Sequence, residues 1–262
     1  AQRPRMRKEG QCHLQDERLA PVLDDALARA RAAGVGRLLC CGVREADWEA
    51  VLALARERPG LVVPSLGLHP WCITGRLPGW LDTLERLLVG APCGVGEIGL
   101  DRALEPRDDS DQENVFLAQL RLARRLGRPV SIHCRKAWGR MLELLRQEGG
   151  APHGGAIHSY SGAPDSIPTL ESMGFHISFS GAITRPGNLR GHLALAAVSP
   201  DRLLIETDSP DLAPAGWPRE RPNEPANLAG VLRAAAEIRG AQEPGLADRT
   251  WTNAMRCFRA LV

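Results

Sequence analysis

Short apolar runs alternate with longer segments of helical periodicity, and this alternation constrains the fold more than any other feature. Short strands that alternate with amphipathic helices are typical of parallel βα units. Seven runs have strand character, and an eighth strand is expected directly before His13, although residues 3–11 are polar and make a poor barrel strand. The seven runs are residues 37–42, 61–68, 93–98, 129–133, 155–158, 175–180 and 202–206.

The number of these units matches one large barrel. Apolar residues recur at helical spacing in the segments 19–33, 48–58, 114–126, 137–147 and 228–239. Eight βα units in 262 residues predict a single (β/α)8 TIM barrel, a fold of about 250 residues. A doubly wound open sheet is the alternative, but the chain lacks both G-x-G-x-x-G after a first strand and a P-loop motif. We therefore predict an atypical N-terminal segment over residues 1–11, which replaces much of the first strand, and one barrel domain over residues 12–262.

Side chains that bind metals fall at or just beyond the ends of the predicted strands. The carboxyl ends of barrel strands meet on one face, where barrel active sites are built. Imidazole nitrogens and carboxylate oxygens in one mouth would suit Zn, Mn or Fe, and an oxygen-rich part would suit Mg. The residues at these positions are His13, His69, Glu97, His133, His158 and Asp208. The pattern predicts a site for divalent cations on this face.

Each of these residues also has a purely structural interpretation. A single histidine at a strand end is more often a hydrogen-bonded loop residue than a ligand. Glu97 and Asp208 are more informative, because a carboxylate at the end of a buried strand is costly unless it is paired or bound to a cation. His153, His176 and His192 lie outside the pattern and are expected to be structural.

Composition excludes several other classes of protein. The net charge of +2 excludes binding of nucleic acid by overall charge, and aromatic residues, at 4%, are too few for an extended stacking surface. No apolar stretch approaches the roughly 18 residues of a membrane span, so no membrane association is expected. Seven cysteines without a C-x-x-C motif argue against disulfides or a zinc knuckle and predict reduced thiols in the cytoplasm.

Six sequence segments in a fixed order carry a resemblance to a known family. They resemble the successive signatures of the TatD-type metal-dependent deoxyribonucleases, which belong to the amidohydrolase-like barrels. The resemblance runs from about Cys12 to the C-terminus, and GEIGLD followed by TDSP is its most specific part. The segments are GLHPW (67–71), GEIGLD (96–101), PVSIHCRKA (129–137), HSYSG (158–162), ETDSPDLAP (206–214) and RPNEPAN (221–227).

The resemblance implies a barrel that hydrolyses phosphodiester bonds in DNA, often from the 3′ end, with two divalent cations such as Mg, Mn or Zn. By motif position, Glu97 is similar to the carboxylate that bridges both cations. His133 and His158 resemble ligands of one cation, and His13 and Asp208 resemble ligands of the other. Asp208 would also accept a proton from the attacking water. Glu97 and Asp208 are thus the catalytic residues that the resemblance implies.

Further residues near these ligands are expected to support them or to orient the substrate. By the resemblance, His69 and Asp101 would orient ligands or substrate. Arg135, two positions after His133, is a candidate phosphate contact, although a solvated helix start is a nearly equal interpretation. The expected partner is DNA or a small phosphodiester.

One departure from the family pattern concerns the first strand. Family members have an H-x-H pair within D-x-H-x-H-L, whereas this chain has Gln11 where the first histidine stands. An amide oxygen is a weaker ligand for these cations than an imidazole nitrogen. The half-site of His13 and Asp208 is therefore expected to bind its cation less tightly.

Two other functions remain as alternatives. The same barrel supports hydrolysis of amides or carboxylic esters in related proteins, but many of those use a carboxylated lysine as the bridge, and no lysine stands at the strand end of Glu97. A barrel whose site has decayed would act as a binding protein, an alternative that Gln11 and the unusual first strand motivate. The phosphodiesterase is favoured because the site residues match, and not merely the fold.

Overall fold

The computed structural model describes residues 7–261, and it contains one sheet of eight parallel strands. Each strand pairs with the next one along the chain, so the spatial order is β1 to β8. The strands are β1 (Lys8–Cys12), β2 (Val35–Cys41), β3 (Val62–Leu66), β4 (Gly94–Asp101), β5 (Val130–Arg135), β6 (Gly155–Ile157), β7 (His176–Phe179) and β8 (Leu203–Ile205).

The chain just beyond β8 returns to β1 and brings the two ends of the sheet together. Cys12 forms a parallel bridge with Ser209. The backbone N–H of His13 donates to the carbonyl of Ser209 at 2.8 Å, and the N–H of Asp208 donates to the carbonyl of Gln11 at 3.1 Å. The sheet is therefore a nearly closed barrel, as predicted, and two candidate ligands lie at its seam.

Helices surround the sheet and bury their apolar faces against it. They are α1 (Leu23–Ala32), α2 (Glu45–Glu57), α3 (Trp80–Gly90), α4 (Asp109–Arg125), α5 (Trp138–Gln147), α6 (Ile167–Ser172), α7 (Leu189–Ala197), α8 (Leu228–Arg239) and α9 (Glu243–Cys257). The five predicted helical segments correspond to α1, α2, α4, α5 and α8, with ends displaced by up to five residues. No helix of the described part of the chain is long and apolar enough to span a membrane.

The polar stretch before His13 does form a barrel strand. All five residues of β1 are buried. The ammonium of Lys8 donates to the carbonyl of Ala33 at 2.6 Å, which satisfies one polar group that the apolar patterning could not accommodate. Residues 1–6 of the predicted N-terminal segment lie outside the described residues.

β4, which carries Glu97, lies very close to β5, which carries His133. Gly99 pairs with His133 and has φ of 156°, a conformation that disfavours other residues. A Cβ atom at Gly99 would lie 1.9 Å from the carbonyl oxygen of His133, so only glycine permits this spacing. The glycines of the GEIGLD segment thus have a packing role beside the site.

Candidate metal centre

The six predicted metal-binding residues converge at the carboxyl ends of the strands. Glu97 lies within β4 and His133 within β5, while the other four follow β1, β3, β6 and β8. Asp208 adopts a left-handed conformation with φ of 54°, which aspartate tolerates better than most residues. This turn follows β8 directly and brings the Asp208 carboxylate within 3.2 Å of the His13 ring.

Glu97 is the centre of the arrangement, and its two carboxylate oxygens face different neighbours. Oε1 lies 3.0 Å from His133 Nδ1, 3.4 Å from His69 Nε2 and 3.8 Å from His158 Nε2. Oε2 lies 3.3 Å from His13 Nε2. The side chain is 3% exposed. A buried carboxylate with different partners on each oxygen is suited to bridge two cations.

Two groups of ligand atoms are compact enough to hold an ion, and both include Glu97. One consists of His69, Glu97 and His133, and the other of His13, Glu97 and Asp208, with all ligand atoms of each group within 4.8 Å of one another. Asp208 Oδ1 is buried and has no hydrogen-bond partner among the described residues. A mixed set of nitrogen and oxygen donors with such an oxygen fits Zn, Mn or Mg.

The outer partner of each imidazole shows which ring nitrogen can face a cation. His13 Nδ1 lies 2.7 Å from the carbonyl oxygen of Cys41, which can only accept a hydrogen bond. The neutral ring therefore carries its proton on Nδ1 and has its free lone pair on Nε2. His158 Nδ1 lies 2.9 Å from Glu206 Oε1, which leaves Nε2 facing Asp208 at 3.3 Å. Both histidines therefore present a ligand nitrogen to the centre.

His133 and His69 differ in this respect. His133 Nε2 lies 3.1 Å from Asp101 Oδ2, so a neutral ring keeps its proton on Nε2 and turns the Nδ1 lone pair toward Glu97. His69 Nδ1 instead accepts the backbone N–H of Trp71 at 3.2 Å, which places the proton of the neutral ring on Nε2. His69 is thereby suited to donate to Glu97 rather than to bind a cation, despite its place in one compact group.

Gln11 occupies the space beside Glu97 Oε2. Its amide Nε2 donates to Oε2 at 3.1 Å, and Ser131 Oγ donates to its amide oxygen. Gln11 and Ser131 are both buried. Because Ser131 occupies the oxygen, the amide presents a donor to the centre, and a donor cannot bind a cation.

Three side chains that sequence reasoning did not single out complete the site. Glu206 orients His158, and it accepts a hydrogen bond from Ser178 Oγ at 2.7 Å. The indole Nε1 of Trp71 donates to Asp101 Oδ2 at 2.7 Å, on the same oxygen that faces His133. The signal for Glu206 was present, since it ends a predicted strand beside TDSP. Nothing local predicts the Gln11 contact of Ser131, which is 120 residues away.

The electrostatics of the centre favour ionised carboxylates. Burial would raise the pKa of Glu97, but His158, His13 and His133 hold it well below its usual range. Burial likewise opposes ionisation of Asp208, yet His158 and His13 lower its pKa to about 2. Burial and the neighbouring His133 lower the pKa of His69 to about 4, which keeps this ring neutral.

Protons on the neighbouring histidines balance this negative charge. Burial disfavours a charged His13, but Asp208 and Glu97 raise its pKa to about 10. The same two carboxylates and Glu206 raise the pKa of His158 well above its ordinary value, again against burial. A divalent cation would supply the same positive charge and displace these protons, as ligand nitrogens require.

The centre lies at the base of a cavity of about 720 Å³. Four arginines line its wall, and they differ in their partners. Arg44 pairs with Asp47, and Arg18 pairs with two aspartates. Arg135 is exposed and has no carboxylate partner among the described residues. Arg190 is likewise exposed and without a carboxylate partner among these residues, but its Nε donates to the carbonyl oxygen of Gly162 at 3.1 Å. Arg135 makes no side-chain hydrogen bond within the described residues and is the wall guanidinium most available to an anionic substrate.

The three histidines expected to be structural lie outside this cavity wall. His192 Nε2 lies 2.8 Å from the carbonyl oxygen of Ile183. His176 is buried in β7, and neither ring nitrogen has a hydrogen-bond partner among the described residues. His153 lies on the loop before β6.

Comparisons with known proteins show the family of this chain. Residues 11–259 match the model of the family described as TatD related DNase. The chain is 34% identical to the 3′-5′ ssDNA/RNA exonuclease TatD of Edwardsiella piscicida, over 89% of this chain and 92% of that protein. It is 33% identical to the uncharacterized metal-dependent hydrolase YcfH of Escherichia coli strain K12, over 95% of this chain and 94% of that protein.

A solved structure is similar along almost the whole chain. The crystal structure of YJJV, a TatD homolog from Escherichia coli K12, matches with a TM-score of 0.91 and 27% identity, and covers 97% of this chain and 98% of that one. The predicted TIM barrel and the predicted class of enzyme, a hydrolase of ester bonds, are confirmed. The chain belongs to the TatD related DNase family.

Proposed function

We propose that this protein is a divalent-metal-dependent exonuclease that removes nucleotides from the 3′ end of single-stranded DNA. The observation that carries the proposal is the arrangement around Glu97, whose two oxygens face separate sets of ligand nitrogens. The printed names of relatives, a 3′-5′ exonuclease and a metal-dependent hydrolase, support it. The cavity and the free guanidinium of Arg135 suit a phosphodiester substrate.

The residues divide into two half-sites that share Glu97. His133 and His158 with Glu97 Oε1 would hold one cation. His13 and Asp208 with Glu97 Oε2 would hold the other. Bound divalent cations would neutralise phosphate charge and make water a stronger acid.

The chain's own side chains would carry out the remaining steps. Arg135 would bind a phosphate oxygen and align the scissile group. Asp208, which is ionised at neutral pH, would accept a proton from the attacking water as the new P–O bond forms. The P–O bond to the leaving nucleoside oxygen would break in the same displacement, and that oxygen would take a proton from water. His69 would keep Glu97 in place by donating to Oε1.

We also propose the cytoplasm as the compartment of this enzyme. All seven cysteines are free thiols, and six of them are buried. Free thiols persist where the compartment is reducing. Measurement of the thiol count in protein isolated under alkylating conditions would test this, since any disulfide would contradict it.

A time course on an end-labelled single-stranded oligonucleotide tests the activity. Hydrolysis is expected with Mg²⁺ or Mn²⁺, and none with EDTA. Glu97→Gln is expected to abolish it, because both half-sites lose their shared anionic ligand. Glu237→Gln, at an exposed position of α8, is the matched control and should retain activity.

Two outcomes would favour the alternatives instead. Full activity in Glu97→Gln would contradict the proposed centre. Absence of cleavage in the wild type and also in Gln11→His, with a cation bound, would favour a binding protein or an amide hydrolase. Small phosphodiesters and amides would then be assayed on the same protein.

A further inference from the structure

Trp71 is an exposed aromatic residue beside the candidate metal centre. Its side chain is 57% exposed, although indoles are usually well buried. It lies in the wall of the cavity that contains the centre. The ring therefore presents aromatic surface to a ligand that enters this cavity.

The indole is held rigidly relative to the centre. Its Nε1 donates to Asp101 Oδ2 at 2.7 Å, and its backbone N–H donates to His69 Nδ1. The ring meets His69 edge-on with a centroid distance of 5.0 Å, and its centroid lies 6.2 Å from that of His133. Asp101 accepts from the indole and faces His133 with the same oxygen, so the indole is fixed against a candidate ligand.

The other two aromatic residues of the cavity wall cannot offer a free face. Tyr160 is 4% exposed, packs against Trp138 at 4.7 Å and donates its hydroxyl to the carbonyl of Ala163. Phe179 is 1% exposed. Trp71 is therefore the one aromatic platform that this wall presents to a ligand.

We propose that Trp71 stacks on the base of the nucleotide whose phosphodiester bond is cleaved, and so selects single-stranded nucleic acid over small phosphodiesters. This inference rests on the proposed function. Bases stack on exposed aromatic side chains whatever their sequence, and a paired base within a duplex has no free face to offer. One platform holds one base, so recognition is limited to the terminal nucleotide and does not extend along the strand.

Charge on the same wall fits this ligand. Arg135 is exposed and without a carboxylate partner among the described residues, and it follows His133 by two positions. Trp71 packs against His69, and the ring of His69 packs against that of His133. A stacking face and a cation on the same cavity wall match a base and its phosphate.

Equilibrium binding tests the proposal independently of turnover. The probe is a labelled pentathymidylate whose last linkage is a non-hydrolysable methylenephosphonate, compared with the same strand ending in an abasic residue. The wild type should bind the strand with the terminal base about tenfold to a hundredfold more tightly, the range expected for one stacked base. Binding is followed by anisotropy, and stacking is followed by quenching of tryptophan emission.

Two variants separate stacking from a merely structural role. Trp71→Leu should lose the preference for the terminal base and most of the quenching. Trp71→Phe should keep most of the preference, although it cannot donate to Asp101. Trp217→Leu, at a tryptophan outside this cavity wall, is the matched control and should behave as the wild type.

Turnover then distinguishes this proposal from the proposed function. In Trp71→Leu, kcat/KM should fall at least about tenfold more for the oligonucleotide than for bis(p-nitrophenyl) phosphate, mainly through KM. An equal fall in kcat/KM for the two substrates, or a preference for the terminal base that survives in Trp71→Leu, would overturn the stacking proposal. A wild type that shows the Trp71-dependent preference but hydrolyses neither substrate would support stacking and contradict the nuclease.

Discussion

The two sides of Glu97 are built from the same kinds of residue but are not equivalent. On the Oε1 side, His133 and His158 each have a carboxylate behind the ring, so a lone pair faces the centre. On the Oε2 side, Gln11 donates an N–H to the carboxylate. On the Oε1 side His133 and His158 would hold a cation, and His69 faces the same oxygen at 3.4 Å. On the Oε2 side His13 and Asp208 would hold a cation, but the Gln11 N–H already occupies Oε2.

The difference teaches that a half-site is defined by its outer contacts as much as by its ligands. Asp101 fixes the proton position of His133, and the Glu206 carboxylate lies 2.9 Å from His158 Nδ1. Ser131 fixes the orientation of the Gln11 amide by donating to its oxygen, so the amide N–H, which cannot bind a cation, faces the centre. We therefore expect a tight cation site at Oε1 and a weak one at Oε2.

Glu97→Gln should have the largest effect, because it removes the ligand that both sides share. The affinity for Mn²⁺ on both sides should fall at least about a hundredfold, beyond the range for losing an outer contact. Isothermal titration of the metal-free protein measures this. Retention of one tight Mn²⁺ site would show that Glu97 is not shared.

Asp101→Asn should weaken the Oε1 side selectively, by about tenfold to a hundredfold. The two oxygens of Asp101 accept hydrogen bonds from the rings of His133 and Trp71 and from the backbone N–H of Ala103. An asparagine has only one oxygen to accept them. The same titration would resolve a loss of the tight site alone. Asp165→Asn, at an exposed position, is the control, and an equal loss on both sides would contradict the division.

Ser131→Ala should have a smaller effect of opposite sign. Without the Ser131 hydroxyl, the Gln11 amide is free to turn its oxygen toward the centre. The affinity of the Oε2 side for Mn²⁺ should rise a few-fold, since an amide oxygen is an acceptable ligand for this cation. An unchanged weak site would mean that Ser131 does not set the amide orientation.

His176 should have the smallest effect on the centre and a measurable effect on stability. Burial, followed by Arg202 and Arg256, lowers its pKa to about 4 against the opposing charge of Asp201. The unfolded chain therefore binds more protons between about pH 6.5 and pH 4, and the free energy of unfolding falls as pH falls through this window.

The loss should be at most about 3 kcal/mol, from a pKa difference of about 2.5 units. Urea unfolding at pH 7 and pH 4.5 measures it, and His176→Asn should show a smaller difference between the two pH values. His153→Asn, at a partly exposed loop position, is the control. An unchanged pH dependence in His176→Asn would contradict the assignment.

Positions along strands could be predicted from the sequence, whereas partners across the barrel could not. Glu97 and His133 were found because they lie at or near the ends of apolar runs, and parallel strands must bring such ends together. The orientation of Gln11 depends on Ser131, 120 residues away, and on a register that no local pattern encodes. The apolar pattern argued against Lys8 as a strand residue, yet it lies in β1, where its ammonium donates a hydrogen bond to the carbonyl of Ala33.

Four helices, α3, α6, α7 and α9, lie outside the five segments of helical periodicity, and two of them show why. α6 has six residues, too few to show a period. α9 begins with Glu243, a proline and a glycine, which resemble a turn more than a helix. The exposure of the Trp71 ring could not be predicted either, because exposure is a property of the folded surface.

The most direct test of this account is a count of bound Mn²⁺ in the wild type and in Gln11→His. Titration of the metal-free protein, with electron paramagnetic resonance to detect paired ions, gives both number and affinity. We expect one tight and one weaker ion in the wild type, and two of comparable affinity with a spin-coupled signal in Gln11→His. Two equal ions in the wild type, or no change on Gln11→His, would contradict the inequality of the two sides of Glu97.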